Sequence, residues 1–197
     1  VLHSGVDLTE NHQSKENLIE KPNFKYNKPL VVYTGSTMSG KGTEIITEMS
    51  RLTKDYNFLI IGGNKGDIQE QDNLQHIPWV SQSLINQYLD MADFLIMPTV
   101  LQKYKFHSPL KLFEYLAAEK VIIASDIDCV KEIITHGKNG ILAQAGNPHS
   151  FLEQMDSIKK DQSFAKKLKE NARISILDYS WQNRAKKIIS YIDEDTE

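Results

Sequence analysis

Two stretches of the chain carry residue types at a spacing that could do chemistry. The first is HSPLKLFEYLAAEKVIIASD, residues 107–126. Ser108 is a good helix N-cap, and Pro109 fits the first helical position, where its missing N–H costs nothing. The amides of Leu110 and Lys111 and the positive end of the helix dipole then point into the preceding loop, a place that favours phosphate. Glu114 lies one turn further on, between Phe113 and Tyr115. It is either a solvated helix residue or an acceptor for vicinal hydroxyls such as a ribose diol. The second stretch is G-S-T-M-S-G-K-G, Gly35 to Gly42, followed by Thr43. It comes close to the phosphate-cradling loop G-x-x-x-x-G-K-[ST], with Lys41 as its cation, and closer still to the wording of nucleoside monophosphate kinases. A kinase of that kind also needs a strand ending in an acidic residue to organise Mg²⁺. DFLIMP, 93–98, ends in proline instead.

The elements that must hold these residues follow from pattern. LVVYTG (30–35), FLIIGG (58–63), DFLIMPT (93–99) and VIIAS (121–125) are short apolar runs of the kind buried parallel strands show. His76 to Val80 reads as a further short strand running into a loop, and Ile141 to Ala143 as another after an Asn-Gly turn. Between them, Ile45, Ile46, Met49 and Leu52 recur at helical spacing, as do Leu84, Ile85, Tyr88 and Leu89 behind Ser81 or Ser83. Leu110, Leu112, Phe113, Leu116 and Ala117 do the same. A helix is predicted over Asp126 to Thr135, and three more over 148–159, 162–177 and 181–193, the last burying Ile188, Ile189 and Ile192. Strands alternating with helices predict an α/β fold, a Rossmann-like open, doubly wound parallel sheet flanked by helices, with its ligand at the carboxyl ends of the strands. Residues 1–29 read as a linker or loose arm, and 30–197 as the folded domain.

With 197 residues, 40 % of them hydrophobic, the chain can bury a sizeable core. A net charge of −3 argues against a nucleic-acid binder, which would present a basic face. Cys129 is the single cysteine, so the chain has no disulfide framework and no cysteine metal cluster. No apolar run approaches the length of a membrane span.

The wording SPLKLFEYLAAEKVIIASDIDCVKEII closely resembles the nucleotide-binding signature of retaining glycosyltransferases of family 4, two-domain GT-B enzymes whose C-terminal domain holds the sugar nucleotide. VLHSGVDL at the start resembles the segment that closes their N-terminal domain, and YSWQNRAKKIISYI resembles their closing helix. The resemblance covers roughly residues 30–193. It implies that Glu114 holds the ribose, that Lys41 clamps the diphosphate, and that these two residues carry the catalytic role. It also implies that the loop before the helix, with Phe106, His107, Ser108, Pro109, Leu110 and Lys111, meets the diphosphate and donor sugar. The nucleobase would rest near Trp79 and Val80. On its own residue type Trp79 reads as core or rim packing, and His76 as a structural histidine.

The chain departs from the family pattern in that a glycine commonly found beside the segment of Trp79 and Val80 is missing, and at three further positions. Ser36 follows Gly35 where an arginine is expected as the second diphosphate cation, and Lys103, Lys105 and Lys111 stand near enough in sequence to replace it. Phe106 stands where a glutamate usually meets the donor sugar, which implies altered sugar recognition. Glu119 occupies a helix-end position that is generally glycine, a cost of about 1 kcal/mol if its backbone is left-handed. The resemblance further implies a UDP-, GDP- or other nucleoside diphosphate sugar as donor, no metal and no other cofactor. It implies a missing N-terminal acceptor-binding domain, without which the chain turns over little or nothing. The setting it implies is polysaccharide or glycoconjugate synthesis in the cytoplasm, including peripheral association with the inner face of the membrane. A P-loop kinase and a nucleotide-binding module without catalysis are the competing readings.

Overall fold

The computed structural model describes residues 22–24, 27–100 and 109–194. In chain order the elements are β1 Leu30–Thr34, α1 Thr43–Leu52, β2 Asn57–Ile61, β3 Leu74–Ile77, α2 Gln82–Met91, β4 Phe94–Met97 and α3 Leu110–Ala117. They continue with β5 Val121–Ser125, α4 Asp128–Lys131, β6 Ile141–Ala143, α5 Pro148–Lys160, α6 Gln162–Ile176 and α7 Trp181–Glu194. The six strands form one sheet in the order β3-β2-β1-β4-β5-β6, and every neighbouring pair is parallel. The strand order reverses between β1 and β4, so the crevice above their carboxyl ends is the topological switch point where such sheets bind ligands. The chain therefore has the doubly wound α/β fold that its alternating pattern predicts.

The apolar runs are continuous because both faces of the sheet are covered. Val31, Tyr33, Phe58, Ile60, Phe94 and Ile96 point to one face and pack with Ile46 and Met49 of α1 and Phe151 and Met155 of α5. Val32, Leu59, Ile61, Leu95 and Met97 point to the other and pack with Tyr88 and Leu89 of α2 and Phe113 and Leu116 of α3. Each fully buried aliphatic or aromatic side chain contributes about 1.5–3 kcal/mol, so the two layers fix the strand register.

Four expectations change. β3 begins at Leu74 rather than His76, because Phe58 to Ile61 of β2 pair in register with Leu74 to Ile77. α4 is a single turn rather than a helix to Thr135. There the Asn139 carboxamide accepts from the Thr135 amide at 2.8 Å and donates to the Ile133 carbonyl at 3.0 Å, replacing the helical bonds. The arm is not loose at 22–24: Phe24 packs against the core, and Asn23 exchanges two hydrogen bonds with Gln75. On α7, Ile188, Ile189 and Ile192 are exposed, 57 % in the case of Ile189, so no described element covers the expected buried stripe.

Glu119 has φ 55°, the left-handed backbone that glycine would adopt without strain. Its carboxylate pairs with Arg173 on the surface, an interaction of small worth. Glu119→Gly is therefore expected to stabilise the chain, by up to about 1 kcal/mol, in denaturant unfolding.

Candidate functional site

The loop between β1 and α1 lies at the switch point. Gly35 leaves β1 with φ 135°, and its amide donates to the Ile61 carbonyl at 2.8 Å. The Tyr33 hydroxyl donates to the Ser36 carbonyl at 2.8 Å, which pins the first turn of the loop to the strand below. A turn from Met38 to Lys41 follows, closed by the Lys41 amide on the Met38 carbonyl at 3.1 Å. Gly42, with φ 96°, caps α1 and lies against the Pro98 backbone at the end of β4. The amide of Val100 donates to Gly40, so the loops after β1 and β4 are tied together beneath Lys41.

Helix α3 meets the same point from the other face. Tyr115 is fully buried, and its hydroxyl accepts from the Thr34 amide at 3.0 Å and reaches the Ile96 carbonyl at 3.4 Å. It thus bolts α3 to the carboxyl ends of both β1 and β4. That contact sets the positions of the residues beside it in the helix. The Glu114 side chain accepts from Gln82 of α2 at 3.1 Å. Burial holds its carboxyl above the usual carboxylate range, opposed by the Gln82 bond and the Lys111 charge. Lys111 reaches across Gly35: its ammonium sits 3.6 Å from the centre of the Tyr33 ring. A Cβ on Gly35 would come within 2.6 Å of its Nζ. Counted over the whole residue Lys111 is half-buried, but its ammonium is the enclosed end. Burial pulls that ammonium down to a pKa of about 7, with Glu114 opposing the shift and the like charge of Lys41 adding to it. Lys41 and Glu114 are therefore each within electrostatic reach of Lys111 at one end of the sheet.

The structure brings together Gly35, Ser36, Lys41, Pro109, Leu110, Lys111 and Glu114. Pro109 is the N-cap of α3 rather than its first residue, and it provides no side-chain cap. Ser36 contributes its Oγ to the Met38 amide at 3.2 Å. Trp79 and Val80 follow β3, further along the same crest, with the Trp79 amide donating to Gly63 at 3.1 Å. Trp79 is 60 % exposed, so it stands on the rim and not in the core. His76 is half-buried and satisfied, its Nε2 2.7 Å from the Gly62 carbonyl. Phe106, His107 and Ser108, with Lys103 and Lys105, lie outside the described residues.

Two features went unread in the sequence. Tyr115 was only a neighbour of Glu114, though a tyrosine on the buried side of a helix needs a partner for its hydroxyl, and the end of a strand is where one is found. Asp67 lies in the polar stretch between β2 and β3, where no spacing marks it out. Its carboxylate joins the loops after β1 and β2, accepting from Thr37 Oγ1 at 2.5 Å and from the Asn64 amide at 2.7 Å. Those two bonds hold its pKa below the usual range.

A parallel sheet in this order, flanked by helices on both faces, is the Rossmann-like fold of GT-B proteins. The chain belongs to the family described as glycosyl transferases group 1, whose profile matches residues 14–175. It is 22 % identical over 208 residues to an uncharacterized glycosyltransferase of Methanocaldococcus jannaschii, covering 96 % of this chain and 52 % of the relative. In fold it is similar to Anabaena HepE solved in complex with UDP-glucose, with TM-score 0.72 and 14 % identity, over 85 % of this chain and 49 % of that one. It is also similar to the C-terminal domain of a glycosyl transferase group 1 family protein from Francisella tularensis. There the TM-score is 0.68 and the identity 16 %, over 90 % of this chain and 100 % of that one. The chain spans about half the length of the curated relatives it matches. The family match sets aside the P-loop kinase reading of Gly35 to Thr43. No described helix is long and apolar enough to cross a membrane.

Proposed function

We propose that this chain is the donor-binding half of a retaining glycosyltransferase of the family 4 kind. The observation that carries the reading is the convergence of Lys41 and Glu114 on Lys111 at the switch point. Glu114 accepts the two ribose hydroxyls. Lys41 and the first amides of α3 at Leu110 and Lys111 meet the diphosphate. The base rests along the crest towards Trp79 and Val80. The complexes of Anabaena HepE with UDP and UDP-glucose support a nucleoside diphosphate sugar as donor. In such a transfer the protein positions the donor and stabilises the charge gathering on the departing diphosphate, a task that fixed cations and amides perform without a metal. The acceptor is held by a further domain of the complete protein, in polysaccharide or glycoconjugate synthesis on the cytoplasmic side of a membrane.

Calorimetric titration of the chain with UDP, GDP and ATP, each with and without Mg²⁺, tests the reading. The expected result is binding of UDP or GDP without metal, weakened by both Lys41→Ala and Glu114→Ala. Binding of ATP alone, dependent on Mg²⁺ and indifferent to Glu114→Ala, would return the P-loop reading. Intact binding without sugar transfer in the complete two-domain protein would leave a module without catalysis.

A further inference from the structure

We propose that Lys111 supplies the second cationic contact to the donor diphosphate, reaching across Gly35 from α3, and that it takes up a proton as the diphosphate binds. The inference rests on the donor-site reading and adds to it the residue that does the work of the expected arginine.

Ser36, at the position after Gly35, carries no charge, and its carbonyl is already held by Tyr33. Lys111 reaches the same loop from the opposite direction. Tyr33 belongs to the α1 face of the sheet, whereas α3 packs on the other face. The lysine passes from one face to the other over Gly35, where an added Cβ would lie 2.6 Å from its Nζ and the tip of the side chain would have to shift. Its ammonium then rests on the Tyr33 ring face, a favourable cation–π contact that orients it. The groups facing it are Glu114 from its own helix, Lys41 from the loop before α1, and the Tyr33 ring from β1. Burial keeps the Tyr33 phenol protonated and neutral, with Tyr115 and Glu44 of α1 adding to that effect. With Lys111 protonated, one carboxylate against two lysines leaves a local excess of positive charge, which a diphosphate would balance. In the ligand-free chain burial holds Lys111 near pKa 7, with Glu114 opposing the shift and Lys41 adding a smaller lowering, so the amine is mostly neutral at pH 8. A diphosphate brought alongside favours the ammonium, and the proton comes from solvent. The sign follows: between about pH 7 and the raised pKa of the complex, affinity falls as pH rises, approaching tenfold per pH unit.

The test is calorimetry of the full chain with UDP between about pH 7 and 8.5, in buffers of different ionisation enthalpy. The second phosphate ionisation of UDP, near pH 6, is complete over most of that range. Wild-type protein is expected to take up most of one proton per UDP at pH 8 and to lose affinity with rising pH. Lys111→Met is expected to lose tenfold or more in affinity and all of the proton uptake. Lys111→Arg, permanently charged, is expected to keep most of the affinity while losing the proton uptake, which a purely structural lysine would not do. Wild-type binding that Glu114→Gln weakens but Lys111→Met leaves unchanged, with no proton uptake, would overturn this inference alone. No binding of UDP or GDP by wild-type protein would overturn the donor-site reading and this inference with it.

Discussion

Replacing Glu114 by glutamine is expected to weaken UDP or GDP binding by roughly 10- to 100-fold while leaving the ligand-free chain folded. The magnitude comes from removing the charge behind two hydrogen bonds to the ribose: bonds to charged groups contribute about 1.5–3 kcal/mol, and each 1.4 kcal/mol is about tenfold in affinity. The separation of binding from stability follows from the surroundings. Among the described residues the Glu114 carboxylate accepts from the Gln82 side chain, and burial disfavours its ionised form. A neutral amide of the same shape relieves that penalty, so the thermal midpoint should stay level or rise. Such a pairing, lost affinity without lost stability, distinguishes a residue kept for its ligand from one kept for packing. Affinity unchanged within about twofold would mean that Glu114 is an ordinary half-buried helix residue.

Gly42→Ala is expected to have the largest effect on stability. An added Cβ would lie 2.1 Å from the Pro98 carbonyl oxygen and 2.4 Å from its carbon, both backbone atoms that cannot rotate aside. The backbone at φ 96° adds a left-handed penalty of about 1–2 kcal/mol for any residue with a Cβ. Together these should exceed about 3 kcal/mol, which for a chain of this size lowers the melting temperature by about 6–12 °C. Nucleotide binding should fall with it, because Lys41 is the preceding residue and the loops after β1 and β4 would be forced apart. Gly66→Ala is the control. It shares a positive φ, 91°, but a Cβ there meets nothing within 4 Å, so only the same conformational term of about 1–2 kcal/mol remains. Equal losses from the two substitutions would show that the contact with Pro98 is unimportant.

The sheet was legible because strands buried on both faces leave a continuous apolar record, and β1, β2, β4 and β5 fall where their runs do. Local competition was harder to see. Nothing in the run from Asp126 to Thr135 announces that Asn139 will take the Thr135 amide and end the helix after one turn. The stripe of α7 was read as buried from its spacing alone, yet spacing reports only that a face is apolar, not which surface meets it. In the site, Lys41 and Glu114 were named from wording and the structure brings them to the same end of the sheet. Lys111 was one of three interchangeable lysines. Its path over Gly35 to Tyr33 depends on a contact between residues far apart in sequence, and no local pattern records that. The left-handed backbone at Glu119 was legible, since a glycine-type helix end keeps its geometry even when another residue occupies it.

The central claim is that a nucleoside diphosphate lies over the switch point between β1 and β4, touching both the loop after β1 and the first turns of α3. Amide chemical-shift mapping of the isotopically labelled chain during titration with UDP and GDP, in the absence of divalent metal, measures this most directly. The account predicts shifts concentrated at Gly35 to Gly42 and Leu110 to Glu114, with smaller ones near Trp79 and Val80. Saturable shifts confined to another surface, or none at millimolar nucleotide, would contradict it.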